Sequence, residues 1–203
     1  MMIVAFDCDG VLSNFSLGAA KAIESFTDLK KVYELQEKLQ CWDWFEVFLD
    51  EAQLMRMDAI IKSEGFCRDL EPIGEGLKTL EAVKERLKDA LGDDFKIKVV
   101  TTPWKGSKHW FHERIAWVEE HTSLSGRDVT FSCGKNEIAA DIFIDDKVQN
   151  LLNAEHSKKK IIWDRPCNQK ADETDLDLFR AKSCEDVMRL LEIAIEDYLS
   201  FTS

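Results

Sequence analysis

The apolar run Met2–Phe6 ends abruptly in Asp7-Cys8-Asp9-Gly10, and this junction restricts the possible folds more than any other feature of the chain. Short apolar runs that stop at polar residues are typical of buried strands. Ligands bind at the carboxyl ends of strands in open parallel sheets, so two carboxylates at such an end favour metal or acid–base chemistry. Surface turns also use Asp and Gly, so the motif alone leaves a plain turn open.

Two further runs, Ile97–Val100 and Ile142–Ile144, have the same character. Segments with helical periodicity lie between and after them, namely Gly76–Ala90, Ser107–His121, Val148–Ala154 and Cys184–Leu199. This alternation predicts an α/β fold in which helices cover both faces of a mainly parallel sheet. From about Phe15 to Leu70 the chain has helical patterns and no convincing strand, which predicts a helical insert directly after the first strand.

The second and third runs end in residues that suit phosphate and metal binding. Thr101-Thr102-Pro103 offers a hydroxyl and successive amide groups to phosphate oxygens, although Thr and Pro also serve simply to end strands. Burying Asp145 and Asp146 beside Asp7 and Asp9 would be prohibitive without a cation, and Mg²⁺ prefers such oxygen ligands. Lys135 is a candidate to offset the carboxylates and hold a phosphoryl group, although most lysines are solvated surface charges.

The charge and cysteine content narrow the class of partner. Acidic residues outnumber basic ones 39 to 27, and a formal charge of −12 repels nucleic-acid polymers and anionic membranes. We therefore expect a small partner, with no nucleic acid polymer and no membrane. The six cysteines contain no CxxC pair, which argues against a zinc site or a disulfide framework. The N-terminus lacks the basic region of a signal peptide and no apolar run is long enough to span a membrane, so we expect a cytoplasmic protein.

Together these motifs resemble the haloacid dehalogenase (HAD) superfamily, which has DxDG after the first strand, a strand ending in Thr or Ser, a downstream Lys and a strand ending in DD. Within it, several stretches resemble the 5'(3')-deoxyribonucleotidases, namely Asp7–Phe15, Leu70–Ile73, Thr101–Pro103, Glu113–Glu119 and Asp141–Lys147. The resemblance spans roughly Met2 to Asn168 and is loose in the insert. The chain has Arg114 where the family usually has Lys, which keeps the charge and changes the donor geometry.

The resemblance implies a Rossmann-like three-layer α/β/α core formed by residues 1–14 and 71–203, with a small helical cap formed by 15–70. It implies a Mg²⁺-dependent phosphatase that hydrolyses (deoxy)nucleoside monophosphates through an aspartyl-phosphate. Asp7 would be the nucleophile and Asp9 the acid and base. The implied metal ligands are Asp7, the main-chain carbonyl of Asp9, Asp145 and Asp146. The implied phosphate ligands are Thr101, Thr102, Lys135 and Arg114, and the implied contacts to the base or sugar are Phe15, Trp42, Trp44 and Phe66.

Other interpretations stay open at this point. Trp42 and Trp44 are equally well explained as core residues of the insert, and Trp104 is another candidate wall of the site. The chain could be a HAD phosphatase for a different small phosphate ester, or an inactive binding protein with the same fold. A phospho-receiver domain is disfavoured, because there the acidic pair precedes the acceptor Asp and no helical insert follows the first strand. The preferred base, the choice between 3'- and 5'-phosphate, and a homodimer are left open by the sequence.

Overall fold

The computed structural model describes residues 1–39, 41, 44–170 and 178–202, without the side chain of Thr202. Its strands are β1 (Met2–Asp7), β2 (Phe95–Thr101), β3 (Val129–Phe131), β4 (Ile142–Asp145), β5 (Lys159–Trp163) and β6 (Phe179–Ala181). Its helices are α1 (Phe15–Glu24), α2 (Val32–Leu39), α3 (Phe45–Phe48), α4 (Glu51–Ile61), α5 (Gly74–Leu91), α6 (Trp110–His121), α7 (Val148–Asn153) and α8 (Cys184–Thr202). Single 3₁₀ turns cover Gly126–Asp128 and Pro166–Asn168.

The six strands form one sheet in the order β3-β2-β1-β4-β5-β6, and all five pairings are parallel. The predicted α/β fold and its three predicted strands are confirmed. Strand β1 occupies the centre because its short apolar sequence can be buried on both faces, as a parallel sheet requires. A single central strand therefore carries the Asp7 junction into the middle of the sheet edge.

Alternate side chains of β1 enter cores on opposite faces of the sheet, as the two-residue period of a strand dictates. Val4 and Phe6 belong to the larger core, which also contains Leu80 of α5, Trp117 of α6 and Leu191 of α8. Ala5 belongs to a smaller core on the other face. That core also contains Leu151 of α7. The sheet is thus covered by helices on both faces, which is the three-layer arrangement of the predicted fold.

Helices α1 to α4 lie between β1 and α5 and have an apolar cluster of their own. Ile23, Trp44, Met57 and Ile61 are buried in this cluster, together with Trp110 at the start of α6. Two of these helices begin with ordinary capping residues: Asn14 accepts from the Leu17 amide at 3.1 Å, and Asp50 forms a capping box with Gln53. The described helices include none that is both long and apolar enough to cross a membrane.

Candidate active site

The ends of β1, β2 and β4 bring three predicted site residues to one edge of the sheet. Asp7 pairs in register with Val100, next to Thr101, and Phe6 pairs with Ile144, next to Asp145. Because parallel strands all end on the same side, the residues that terminate them become neighbours. Asp7, Thr101 and Asp145 are all buried.

The turn after β1 depends on Gly10. Its φ of +88° is a left-handed conformation that L side chains rarely adopt, and a Cβ added there would lie 1.8 Å from Oδ2 of Asp146. Glycine therefore permits both the sharp exit from β1 and the close approach of the Asp146 carboxylate. The turn is closed by a 2.8 Å hydrogen bond from the Gly10 amide to the Ser13 carbonyl.

Lys135 is the cation at the centre of the site. Its Nζ lies 2.6 Å from Oδ1 of Asp7 and 2.8 Å from Oδ2 of Asp145, and the side chain is buried. Burial alone would lower the pKa of Lys135, but the Asp145 and Asp7 carboxylates outweigh burial and raise it. Lys135 is therefore a permanent positive charge between two of the predicted metal ligands.

One lysine does not neutralise the carboxylates of the site. Side-chain oxygens of Asp7, Asp145 and Asp146 all lie within 4.8 Å of one another, and all three residues are buried. Burial and repulsion from Asp145 raise the pKa of Asp7 to about 8, against which Lys135 acts only in part. Burial and repulsion from Asp7 and Asp145 likewise raise the pKa of Asp146. Three buried oxygen donors with an unfavourable excess of negative charge fit a hard divalent cation such as Mg²⁺.

Two asparagines that the sequence analysis did not single out hold this acidic cluster. The Asn150 amide donates to both oxygens of Asp145 at 3.1 Å. The Asn168 amide donates to the main-chain carbonyls of Asp146 at 2.8 Å and of Trp163 at 2.7 Å. Asn150 lies on the helix that follows the acidic pair, and this nearness in sequence is the only signal that could have identified it.

Asp9 pairs with Arg114. Nη2 of Arg114 lies 2.7 Å from Oδ1 and 2.9 Å from Oδ2 of Asp9. Arg114 is fully buried, and it is absent from the described residues that line the adjoining cavity. The structure pairs the guanidinium of Arg114 with Asp9, and its expected contact with the phosphate stays a prediction.

The two threonines differ in exposure. The Thr101 hydroxyl is buried and has no hydrogen-bond partner among the described residues. Thr102 lines the cavity, and its hydroxyl donates to the Ser132 carbonyl at 2.9 Å. A buried hydroxyl without a partner is unfavourable by about 1–3 kcal/mol, which a phosphate oxygen at this edge could relieve.

A cavity of about 760 Å³ opens onto these residues. Its deep end contains Asp7, Asp9, Lys135 and Asp146. Its outer wall is formed by the aromatic side chains of Phe15, Trp104 and Trp110 and by the α4 residues Asp58 and Lys62. Phe15 and Trp104 are stacked with ring centroids 5.4 Å apart, and the Trp104 indole N–H donates to Asp58 at 2.8 Å.

The aromatic wall differs from the one predicted. Trp44 is 3% exposed within the core of the insert, and Phe66 packs on Phe15 at 6.2 Å; neither is among the described lining residues. Both side chains pack within the insert, and their expected contacts with the base or sugar stay predictions. Phe15 does line the cavity, Trp104 joins it as the alternative wall, and Trp42 lies outside the described residues.

Comparison with known proteins gives a consistent result. Residues 1–196 match the model of the family described as "5' nucleotidase, deoxy (Pyrimidine), cytosolic type C protein". The mitochondrial 5'(3')-deoxyribonucleotidase of Mus musculus is 30% identical over 147 residues, which are 71% of this chain and 64% of the mouse protein. The chain thus spans somewhat less than two thirds of the length of that relative.

Solved structures share the fold at low identity. A HAD-hydrolase from Bacillus subtilis, solved bound to magnesium, has a TM-score of 0.55 at 14% identity, covering 94% of this chain and 98% of its own. A haloacid dehalogenase-like hydrolase from Burkholderia xenovorans has a TM-score of 0.52 at 16% identity, covering 96% and 97%. At such identities the likeness concerns the fold alone, and it confirms the predicted HAD-like architecture.

Proposed function

This chain belongs to the family of cytosolic type C 5' nucleotidases, and we propose that it is a Mg²⁺-dependent phosphatase of (deoxy)nucleoside monophosphates. One observation carries the proposal: Asp7, Lys135 and Asp146 line the deep end of a cavity with an aromatic wall, and the buried Asp145 contacts Lys135. Carboxylates and a cation suit a metal-bound phosphate, and aromatic faces suit a nucleobase.

The residues that would hold Mg²⁺ are Asp7, Asp145, Asp146 and the main-chain carbonyl of Asp9. When bound, the ion would neutralise the phosphate and favour the ionised form of Asp7. Lys135, the Thr101 hydroxyl and the Thr102 amide would hold the phosphate oxygens. The ordering by Asn150 and Asn168 fixes the acidic pair, which reduces the reorganisation needed when substrate arrives.

The reaction proceeds by two displacements at phosphorus. A carboxylate oxygen of Asp7 forms a bond to phosphorus while the ester P–O bond breaks, and Asp9 gives its proton to the departing sugar oxygen. Asp9 then accepts a proton from a water molecule that attacks the aspartyl-phosphate. The bond between Asp7 and phosphorus breaks, inorganic phosphate leaves, and Asp9 is again protonated for the next turnover.

The insert would act as a cap subdomain over this site, with residues 15–70 as the cap and residues 1–14 and 71–203 as the catalytic core. The proposal is supported by the separate apolar cluster of the insert and by the contribution of Phe15, Asp58 and Lys62 to the cavity wall. A cap of this kind would exclude water during the first displacement and would contact the base.

The remaining partner assignments follow from charge and family. A formal charge of −12 supports a small substrate over a nucleic acid polymer or a membrane. The description of the matched family supports a cytosolic setting. The preference for deoxyribose is supported by the word "deoxy" in the description of the matched family and by the name of the mouse relative.

Release of inorganic phosphate from a panel of substrates tests the proposal. The panel contains deoxy- and ribonucleoside monophosphates with 5'- and 3'-phosphates, together with sugar phosphates, each assayed with Mg²⁺ and with EDTA. We expect turnover only with Mg²⁺ and the fastest rates on deoxynucleotides. Turnover of other esters would keep the mechanism and reject the substrate, while no turnover at all would indicate an inactive binding protein.

A further inference from the structure

Arg114 is held in one orientation by hydrogen bonds from both of its terminal nitrogens and by two aromatic rings. Besides Asp9, its Nη1 donates to Oγ of Ser13 at 3.0 Å and to Sγ of Cys8 at 3.1 Å. The guanidinium carbon lies 5.2 Å from the ring centroid of Trp110 and 5.8 Å from that of Trp117. Arginine stacks well on aromatic faces and donates in a fixed planar geometry, so this environment immobilises the side chain.

Ser13 completes the arrangement around Asp9. Its hydroxyl accepts from Arg114 and donates to Oδ1 of Asp9 at 2.7 Å. Oδ1 of Asp9 therefore receives two hydrogen bonds, one from Ser13 and one from Arg114, whereas Oδ2 receives one at 2.9 Å. A carboxylate oxygen has room for about two such bonds, so Oδ2 is the oxygen with an acceptor position left.

The open side of Asp9 faces the cavity. Its side chain is 24% exposed, and Asp9 is one of the lining residues, while Arg114 is fully buried behind it. The guanidinium of Arg114 contacts Asp9 and is not among the described residues that line the cavity. It can fix the angle at which Asp9 presents its free oxygen.

We propose that Arg114 is a positioning residue that, with Ser13, locks Asp9 so that Oδ2 carries the proton transferred in both displacements. The inference rests on the proposed phosphatase function and deepens it. Oδ1 is saturated by its two donors, so the proton given to the departing sugar oxygen leaves from Oδ2, and the proton taken from water returns to it. Lysine keeps the charge of Arg114 but, as a compact ammonium, reproduces less of the geometry that holds Asp9 and Ser13 together.

Substrates with different leaving groups can distinguish a role of Arg114 in positioning Asp9 from a role in binding the phosphate. A sugar alkoxide needs a proton as it departs, whereas p-nitrophenolate is stable without one. The ratio kcat/KM reports the steps up to phosphoenzyme formation, so a misplaced Asp9 should lower it for a deoxynucleotide and spare it for p-nitrophenyl phosphate. Loss of a phosphate ligand, or general damage to the fold, would lower both equally.

The variants are Arg114→Gln, Arg114→Lys and Ser13→Ala, with Arg86→Gln as the matched control. Arg86 also pairs with a carboxylate, Glu192, through contacts of 2.7 and 2.6 Å, but far from the site on α5 and α8. General acid–base catalysis contributes about 10²–10⁴-fold, so Arg114→Gln should lower kcat/KM for the deoxynucleotide about 100-fold. Its value for p-nitrophenyl phosphate and the inhibition constant of inorganic phosphate should change less than about threefold, and Arg86→Gln should change nothing.

Arg114→Lys should recover part of the lost rate, and Ser13→Ala should show the same leaving-group dependence at smaller size. These two variants decide the question if Arg114→Gln does not fold, as judged by circular dichroism. Equal losses of kcat/KM on the deoxynucleotide and on p-nitrophenyl phosphate would overturn the positioning role. So would a raised inhibition constant of inorganic phosphate without a difference between the two substrates. An active wild type with unaltered variants would overturn this inference alone, and an inactive wild type would overturn it together with the proposed function.

Discussion

Nζ of Lys135 lies between the carboxylates of Asp7 and Asp145, 2.6 Å from the first and 2.8 Å from the second. It joins the strand that carries the proposed nucleophile to the neighbouring strand that carries the acidic pair. Because all three groups are buried, losing the ammonium would leave the carboxylates with little solvent to replace it. The ammonium therefore keeps the deep end of the cavity assembled before any ligand binds.

Replacing Lys135 by Met should destabilise the metal-free protein. Breaking a buried ion pair leaves uncompensated charge and lowers the free energy of unfolding by about 3–5 kcal/mol. Lys158 offers the matched control, because its 2.7 Å pair with Asp141 is formed by a side chain that is 74% exposed. Lys158→Met should change the free energy of unfolding by less than about 1 kcal/mol. Urea unfolding in EDTA measures both, and equal effects would contradict the structural role of Lys135.

Mg²⁺ should stabilise the protein more at pH 8 than at pH 5. In the metal-free fold the pKa of Asp7 is raised from 3.8 to about 8, so the folded state holds this proton more tightly than the unfolded state does. The associated stability is complete below about pH 4 and is lost as the pH rises through about 8. At low pH a bound cation must displace the proton on Asp7. At high pH that proton is already lost, and the cation takes over its role of relieving the repulsion between the carboxylates. Melting temperatures with and without Mg²⁺ test this, and an equal Mg²⁺-induced rise at both pH values would contradict it.

Gly10→Ala should impair Mg²⁺ binding without unfolding the protein. The new Cβ would meet Oδ2 of Asp146 at 1.8 Å, so either the carboxylate or the turn must move. Gly92 is the matched control: its φ is also positive, at +63°, but nothing lies within 4 Å of an added Cβ. Both variants add a Cβ at a residue with positive φ, but only Gly10→Ala brings it against a carboxylate, so only Gly10→Ala should raise the Mg²⁺ concentration for half-maximal phosphate release, by about tenfold or about 1.4 kcal/mol. An equal rise in both would assign the effect to strain alone.

Trp104→Ala should weaken recognition of the base and leave recognition of the phosphate intact. Stacking of a base on an aromatic side chain contributes about 1–3 kcal/mol, so KM for a deoxynucleoside monophosphate should rise about tenfold. KM for ribose 5-phosphate, which has no base, should not change. Phe111→Ala is the control, because Phe111 is an exposed aromatic residue that contacts Phe131. A similar rise in KM for both substrates would show that Trp104 does not contact the base.

The ends of β1, β2 and β4 were predictable because short apolar runs that stop at carboxylates or threonines are typical of buried strands. Strands β3, β5 and β6 lie outside the three predicted runs. Strands β3 and β6 have three residues each, β6 contains Arg180 and β5 begins with two lysines, so none of them shows a clear apolar run. The pairing of β1 with β4 then brings Asp7 and Asp145 together, because the two strands are parallel and end at the same edge of the sheet.

The surroundings of the site were less predictable. Periodicity shows that Trp44, Phe66 and Trp104 lie in or beside helices, but it does not tell which side of a small apolar cluster each one faces. The partner of Arg114 was equally hard to predict from the sequence, because a positive charge near a phosphate site can bind the ligand or a catalytic carboxylate. Only the three-dimensional packing, with Arg114 enclosed by Trp110 and Trp117, decides between these.

The most direct test of the central claim compares phosphate release by the wild type and by Asp7→Asn, with deoxynucleoside 5'-monophosphates and Mg²⁺. Asparagine keeps the size of the side chain but is not a nucleophile, and circular dichroism reports whether the fold is kept. We predict metal-dependent turnover by the wild type and none by the folded variant. Turnover by folded Asp7→Asn at a rate near that of the wild type would contradict the assignment of Asp7 as the nucleophile.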